Sequence, residues 1–230
     1  FTIDQSLRFE DGSSAYLSRT PSASTYKIGT YSFWVKRGEL GTINVIAQSG
    51  RDGLGNDQTQ ISFWSDDTLR IYSYRSSAYE LNLITDALYR DTSAWYHIVV
   101  AWDTTQGTPA NRCKVYVNGE QITDFSTETY PDADDLMMFE NPNASNSGQC
   151  LIGAYWNTAA DTSHSLSGYL SEFYFVDGTQ LTQSSFGETG TYGEWKPIEV
   201  EGLTYGTNGF YLSFAGGGVM SATGGDSTDT

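Results

Sequence analysis

The sequence predicts an all-β fold: a two-sheet antiparallel sandwich of the jelly-roll type. Three observations lead there. The first is residues 93–103, where apolar side chains fill both alternating sets. Trp95, His97, Val99 and Ala101 fall in one, and Tyr96, Ile98, Val100 and Trp102 in the other. A strand sends successive side chains to opposite faces, so a run apolar on both belongs inside a sheet. The second is the segment that follows. Residues 112–117 alternate again and meet Asn118-Gly119, a pair suited to a tight hairpin turn whose two central positions need positive φ. The third is composition. Aromatic residues make up 14% and glycines number 24, which fits many turns and large side chains filling a core.

The elements follow in order. Residues 6–9 read as a first strand, and Asp11-Gly12 as the turn into 15–18. Residues 30–36 place Tyr31, Phe33 and Val35 on one face; residues 42–49 place Ile43, Val45 and Ala47 together. Residues 60–64 and 69–74 are hairpin arms turned at Ser65-Asp66-Asp67, and 79–85 alternate Leu81 and Leu83 against Glu80 and Asn82. Residues 120–122 start the return strand of the Asn-Gly hairpin. Residues 124–148 are rich in Asp, Asn, Ser and Pro, lack periodicity, and read as a long loop over one end of the sheets. Further strands are expected at 149–155, 166–176 and 208–214, with a polar loop at 157–165 and one helical turn at 181–186.

No Pro-rich or charged linker breaks the middle, so the chain is read as one sandwich over 1–186. Residues 187–215 form an extension whose last strand packs back on it, and 216–230 a flexible Gly/Ser/Asp tail or linker. Phe1-Thr-Ile-Asp4 lacks the basic start and apolar block of a secretion signal, and the absence of an initial Met fits a trimmed or internal piece.

Charge narrows the partners. Twelve basic residues stand against 28 acidic ones, a net charge of −16. A field of that sign repels phosphate backbones and anionic lipid heads, which argues against nucleic acid. No apolar run approaches the roughly 20 residues of a membrane-spanning helix, so no membrane insertion is expected.

Several segments together resemble laminin-G-like domains of the concanavalin A-like lectin class. They are Tyr31-Ser-Phe-Trp-Val35, Trp95-Tyr-His-Ile-Val-Val100, Val115-Tyr-Val-Asn-Gly119, Ile152-Gly-Ala154 and Gly168-Tyr-Leu-Ser-Glu-Phe173. Others are similar to virion structural proteins of marine tailed bacteriophages that carry such a domain. These are Ser6-Leu-Arg-Phe9, Tyr16-Leu-Ser-Arg-Thr20, Val35-Lys-Arg37, Asn118-Gly-Glu120, Thr123-Asp-Phe125, Trp195-Lys-Pro197 and Tyr205-Gly-Thr-Asn-Gly-Phe-Tyr-Leu212. The resemblance implies a particle component at the virion surface, a tail fibre, head fibre or capsid decoration. Its partners would be other virion proteins, copies of itself in a homo-oligomer, and host cell-surface glycans.

The laminin-G resemblance also implies Ca²⁺ at one rim, held by carboxylate, amide and carbonyl oxygens. Asp52, Asn56 and Asp57, then Asp66 and Asp67, then Asp132, Asp134 and Asp135 are the clusters able to supply them; the competing reading is solvated loop carboxylates. Sugar binding needs aromatic faces beside polar groups. Tyr155, Trp156 and Asn157 at a strand end, and Tyr72 and Tyr74 with Trp64 and Arg70 on the face opposite Leu69 and Ile71, offer them. Packing on neighbours or on another subunit is the alternative.

An enzyme is not expected. Glycosidases of this fold need two carboxylates flanking the scissile bond, yet no Glu-x-Asp pair occurs, and Gly-x-Ser-x-Gly and His-Glu-x-x-His are also missing. Glu172 reads as an edge or solvent-facing residue and His97 as a buried strand residue with satisfied nitrogens. Cys113 and Cys150 are either two small buried residues or one disulfide, if their strands are neighbours.

Overall fold

The computed structural model describes residues 1–13, 15–50, 57–137, 139, 150–156, 160–161 and 164–215. Eighteen strands run through them. The first six are β1 (Leu7–Phe9), β2 (Leu17–Arg19), β3 (Ile28–Arg37), β4 (Asn44–Gly50), β5 (Gln58–Phe63) and β6 (Thr68–Arg75). Next come β7 (Ala78–Leu88), β8 (Tyr96–Asp103), β9 (Cys113–Val117), β10 (Glu120–Gln121), β11 (Phe125–Thr129) and β12 (Cys150–Ile152). The last six are β13 (Tyr155–Trp156), β14 (Ala160–Asp161), β15 (Gly168–Asp177), β16 (Gly187–Thr189), β17 (Trp195–Pro197) and β18 (Phe210–Leu212).

Two seven-stranded antiparallel sheets result. The first runs β1-β15-β3-β8-β9-β10, with β18 also beside β15; the second runs β11-β7-β6-β5-β4-β12-β2. The central strand is β8, flanked by β3 and β9. Its two apolar sets have different destinations. Tyr96, Ile98, Val100 and Trp102 enter the core between the sheets. Val99 and Ala101 enter a smaller cluster on the far side of the first sheet, with Tyr116, Tyr174, Val176 and Phe186. The chain beyond β15 covers that far side, adding Leu181, Val200, Leu203, Tyr205 and Tyr211.

The turn joining β5 to β6 is tied to the first sheet by a buried ion pair. Arg37 at the end of β3 is 1% exposed. Its guanidinium donates to Asp67 Oδ1 at 3.1 Å and to the Tyr89 carbonyl at 2.6 Å, and lies 4.7 Å over the Phe63 ring. Burial works against the Asp67 carboxylate, yet the Gly41 N–H, Arg90 and Arg37 together hold it below the ordinary range.

Four sequence expectations change, each for a local reason. Residues 124–148 contain β11, which pairs with the edge of β7 even though its side chains are mostly exposed; an edge strand needs little apolar content. The set Ile43, Val45, Ala47 is broken by a register shift between Val45 and Ala47, which sends Ile46 and Ala47 to the core. The strand expected at 149–155 divides at Gly153, whose φ is +85° and whose missing Cβ leaves room for the Phe9 ring. The hairpin of β16 and β17 carried too little alternation to be read as strands. Residues 216–230, read as a tail, lie outside the described residues.

Candidate functional site

The first sheet offers little open face, because the chain after β15 lies across it. The second sheet's outer face is different. In-register pairing sets Gln48, Gln60, Tyr72 and Asn82 in one row across β4, β5, β6 and β7. Their inward neighbours Ala47, Ile61, Ile71, Leu81 and Leu83 fill the core, so alternation turns the amides and phenols outward.

Around this row lies a concavity of about 260 Å³. Gln58, Gln60 and Tyr72 line it from the sheet, Trp64 and Tyr79 from neighbouring turns and strand starts, Tyr155 from β13, and Ile43 and His164 from the loops. Tyr72 and Gln60 are buried at its base, whereas Tyr79 is 51% exposed. The Tyr79 ring meets the edges of Tyr72 and Tyr74 at centroid distances of 5.8 and 4.9 Å, nearly perpendicular to both. Tyr155 packs on His164 at 5.1 Å.

A hydrogen-bond relay fixes the polar groups. Trp64 Nε1–H donates to Ser62 Oγ at 3.1 Å, and Ser62 donates to Gln60 Oε1 at 2.8 Å. The Gln60 amide therefore has its oxygen held on Ser62, with its NH₂ group at the other end. Gln48 Nε2–H likewise donates to Gln58 Oε1 at 3.2 Å. Arg70 lies 3.9 Å over the Trp64 ring and pairs with Asp66. Immobilised rings beside oriented amides suit the two surfaces of a sugar, its C–H face and its hydroxyls.

The structure thus brings together candidates from two distant segments, Tyr72 with Tyr74 beside it, and Tyr155. The Trp156 side chain and Asn157 lie outside the described residues. Sequence reasoning missed Gln58, Gln60, Tyr79 and His164. The two glutamines were legible in principle, since the 65–67 turn fixes which residues of β5 stand beside Tyr72 and Tyr74.

A second concavity, about 360 Å³, lies between residues 1–6 and Trp34, Trp95, Ser171 and Pro197. The Ser171 hydroxyl in it already donates to the Gln5 carbonyl. The concavity's other polar side chains, Thr2, Asp4, Gln5 and Ser6, all come from the first residues of the chain.

The calcium candidates are dispersed or engaged. Asp52 and Asn56 lie outside the described residues. Asp57 accepts from the Ser76 N–H at 2.8 Å, Asp134 pairs with Lys27 at 2.9 Å, and Asp135 accepts from the Asp132 N–H at 2.9 Å. Asp66 faces Arg70, and Asp67 faces Arg37 and Arg90. Among the described residues no three His, Cys, Asp or Glu side chains gather as a metal site. Asp57, Asp66, Asp67, Asp134 and Asp135 therefore spend carboxylate oxygens on Arg, Lys and N–H groups that a divalent cation would have to share.

Three other sequence readings meet the structure. His97 is buried between Trp34 at 4.9 Å and Trp195 at 5.9 Å. Trp195 Nε1–H donates to Nδ1 at 2.9 Å, so the ring proton sits on Nε2, facing Ser32 Oγ at 2.9 Å. Burial drops its pKa to about 3, so it is a neutral structural residue. Glu172 is not solvent-facing: it is 7% exposed and accepts hydrogen bonds from Tyr174 at 2.8 Å and Tyr211 at 2.7 Å. Burial raises its pKa against those bonds. A bulge at a φ of +48° keeps Leu170, Phe173 and Phe175 all on the core side and leaves Glu172 with Tyr174 on the far side, where Phe186, Pro197, Ile198 and Val200 cover it. Cys113 and Cys150 do not form a disulfide: they are buried on different sheets, and burial pushes the Cys113 thiol up to about 12.

Comparison with known proteins agrees with this architecture. No curated protein matches the chain. Mouse laminin α1 chain domains LG4-5 superpose with a TM-score of 0.53 at 10% identity, over 91% of this chain and 48% of that one. A heptameric SAP-like pentraxin from Limulus polyphemus gives 0.50 at 19% identity, over 73% and 71%. A candidate carbohydrate-binding protein from Bacteroides ovatus gives 0.50 at 16% identity, over 86% and 53%. Residues 11–185, most of the chain, match a laminin-G family described as the concanavalin A-like lectin/glucanases superfamily. The chain belongs to that superfamily, with the two-sheet sandwich its sequence predicts.

Proposed function

We propose that this domain is a non-enzymatic glycan-binding module carried on the surface of a bacteriophage particle. The observation that carries the binding reading is the groove on the second sheet, where Trp64, Tyr72, Tyr79 and Tyr155 surround the held amides of Gln58 and Gln60. Among the described residues its lining contains neither Asp nor Glu. Glycoside hydrolysis needs two carboxylates across the bond, so this lining supports holding a sugar over cleaving one.

The virion placement rests on the segments similar to phage structural proteins. Several of them build the first sheet or the chain that covers it: residues 6–9 overlap β1, residues 195–197 are β17, and residues 205–212 lead through β18. Under this reading one side of the sandwich is closed by its own chain. The other side meets host-surface glycans, while neighbouring virion proteins and further copies of the chain hold the domain in place.

The test is a glycan array followed by calorimetry on the purified domain. Tyr79→Ala, at a half-exposed position, and Tyr72→Ala at the base are each expected to weaken binding at least tenfold, about 1.4 kcal/mol or more. Undiminished binding in both variants would remove the groove from the reading. Reducing ends released from any polysaccharide would overturn the non-enzymatic part.

A further inference from the structure

The groove's electrostatics narrow its ligand further, and this step rests on the glycan-binding reading above. We infer that the sheet-face groove takes uncharged glycans and discriminates against acidic ones, namely those carrying sialic acid, uronic acid or sulfate. Carboxylate and sulfate groups on sugars need a cation or a cluster of donors to offset desolvation. Among the described residues the lining of the groove holds one imidazole, His164, and neither Lys nor Arg.

Two arginines lie on β6, Arg70 at the groove wall and Arg75 at the strand's end, and both are engaged. Arg70 is stacked on Trp64 and paired with Asp66, to which Thr68 also donates, so its charge is cancelled at the groove wall. Arg75 pairs with Glu80 and lies 3.9 Å from Asp135. Burial raises the Glu80 carboxyl, and Asp57 and Asp135 add like charge around it. The one cation at the end of β6 is thus outnumbered by the carboxylates of Glu80, Asp57 and Asp135, within a chain of net charge −16. An anionic sugar meets repulsion on approach and, among the described residues, no spare cation on arrival. A neutral sugar needs only the ring faces and the amides, which are present and oriented.

The experiment compares matched glycan pairs, one neutral and one carrying a sialic acid, uronic acid or sulfate on the same backbone, at pH 8 in low salt. Neutral members are expected to bind at least tenfold more tightly, with the gap shrinking as salt screens the field. Asp66→Asn, which leaves Arg70 uncancelled beside Trp64, is expected to narrow the gap several-fold through gain on the acidic member. Equal or tighter binding of acidic glycans by the unaltered protein overturns this inference while leaving the glycan-binding reading intact. Silence from both members of every pair overturns that reading, and this inference with it.

Discussion

At the scale of single residues, His97 shows how a residue type associated with chemistry becomes part of the scaffold. Its nitrogens are used by Ser32 and Trp195, and two indoles bracket its ring. The native state refuses a proton that the unfolded chain accepts below its ordinary value of about 6.5. A folded pKa below the unfolded one means stability is full above pH 6.5. It is then lost as pH falls toward about 3. The slope over that window is on the order of 1.4 kcal/mol per pH unit from this one group. Asp67, held low, adds loss of the same sign in more acidic solution; Glu172, held high, acts oppositely, its share being lost as pH rises through its folded value. Urea unfolding of the unaltered protein and of His97→Gln between pH 4 and 7 tests this. The variant is expected to show a shallower pH slope by about one proton. An identical slope would mean that the His97 ring is charged in the folded protein.

At the scale of elements, the β9–β10 hairpin and the β16–β17 hairpin lock together. Asn118 and Gly119 take φ of +48° and +87°, as a two-residue turn with right-handed strand twist requires. The same glycine leaves a flat spot for Trp195: a Cβ there would stand 2.3 Å from the indole, and one on Gly187 2.5 Å. Gly119→Ala thus adds a clash to an unfavourable φ and is expected to cost on the order of 2–3 kcal/mol. A double-mutant cycle separates the two causes. In a Trp195→Ala background the clash is gone, so the penalty should fall to the backbone part alone. A penalty unchanged in that background would show that the indole does not rest on the turn.

At the scale of the whole molecule, the two sheets have unlike outer faces. The first is covered by the chain after β15, and the second carries the groove. The charge of −16 acts over both. Because Asp57, Asp66, Asp67, Asp134 and Asp135 already face Arg, Lys or N–H groups, Ca²⁺ is expected to raise the melting temperature no more than Mg²⁺ at equal concentration. EDTA should leave it unchanged. A calcium-specific rise lost in Asp57→Asn would place an ion with Asp52 and Asn56 and overturn that expectation.

Among the described residues no helix is long and apolar enough to cross a membrane. The sequence by itself determined the sandwich, its central strand, the Asn-Gly turn and the outward set Trp64, Arg70, Tyr72 and Tyr74. Period-two alternation and turn chemistry are local, and a strand's faces are settled by its own residues. Tertiary structure alone decided what lies beside what. It placed Tyr155 and His164 over the Gln58–Gln60 strand, set Trp195 on His97, and separated the two cysteines onto different sheets. It also buried Glu172, because the chain after β15 folds over the face that a bulge gives this residue. Sheet order and bulges depend on pairing between distant segments, and the energies that select them reside in contacts that neither segment carries alone.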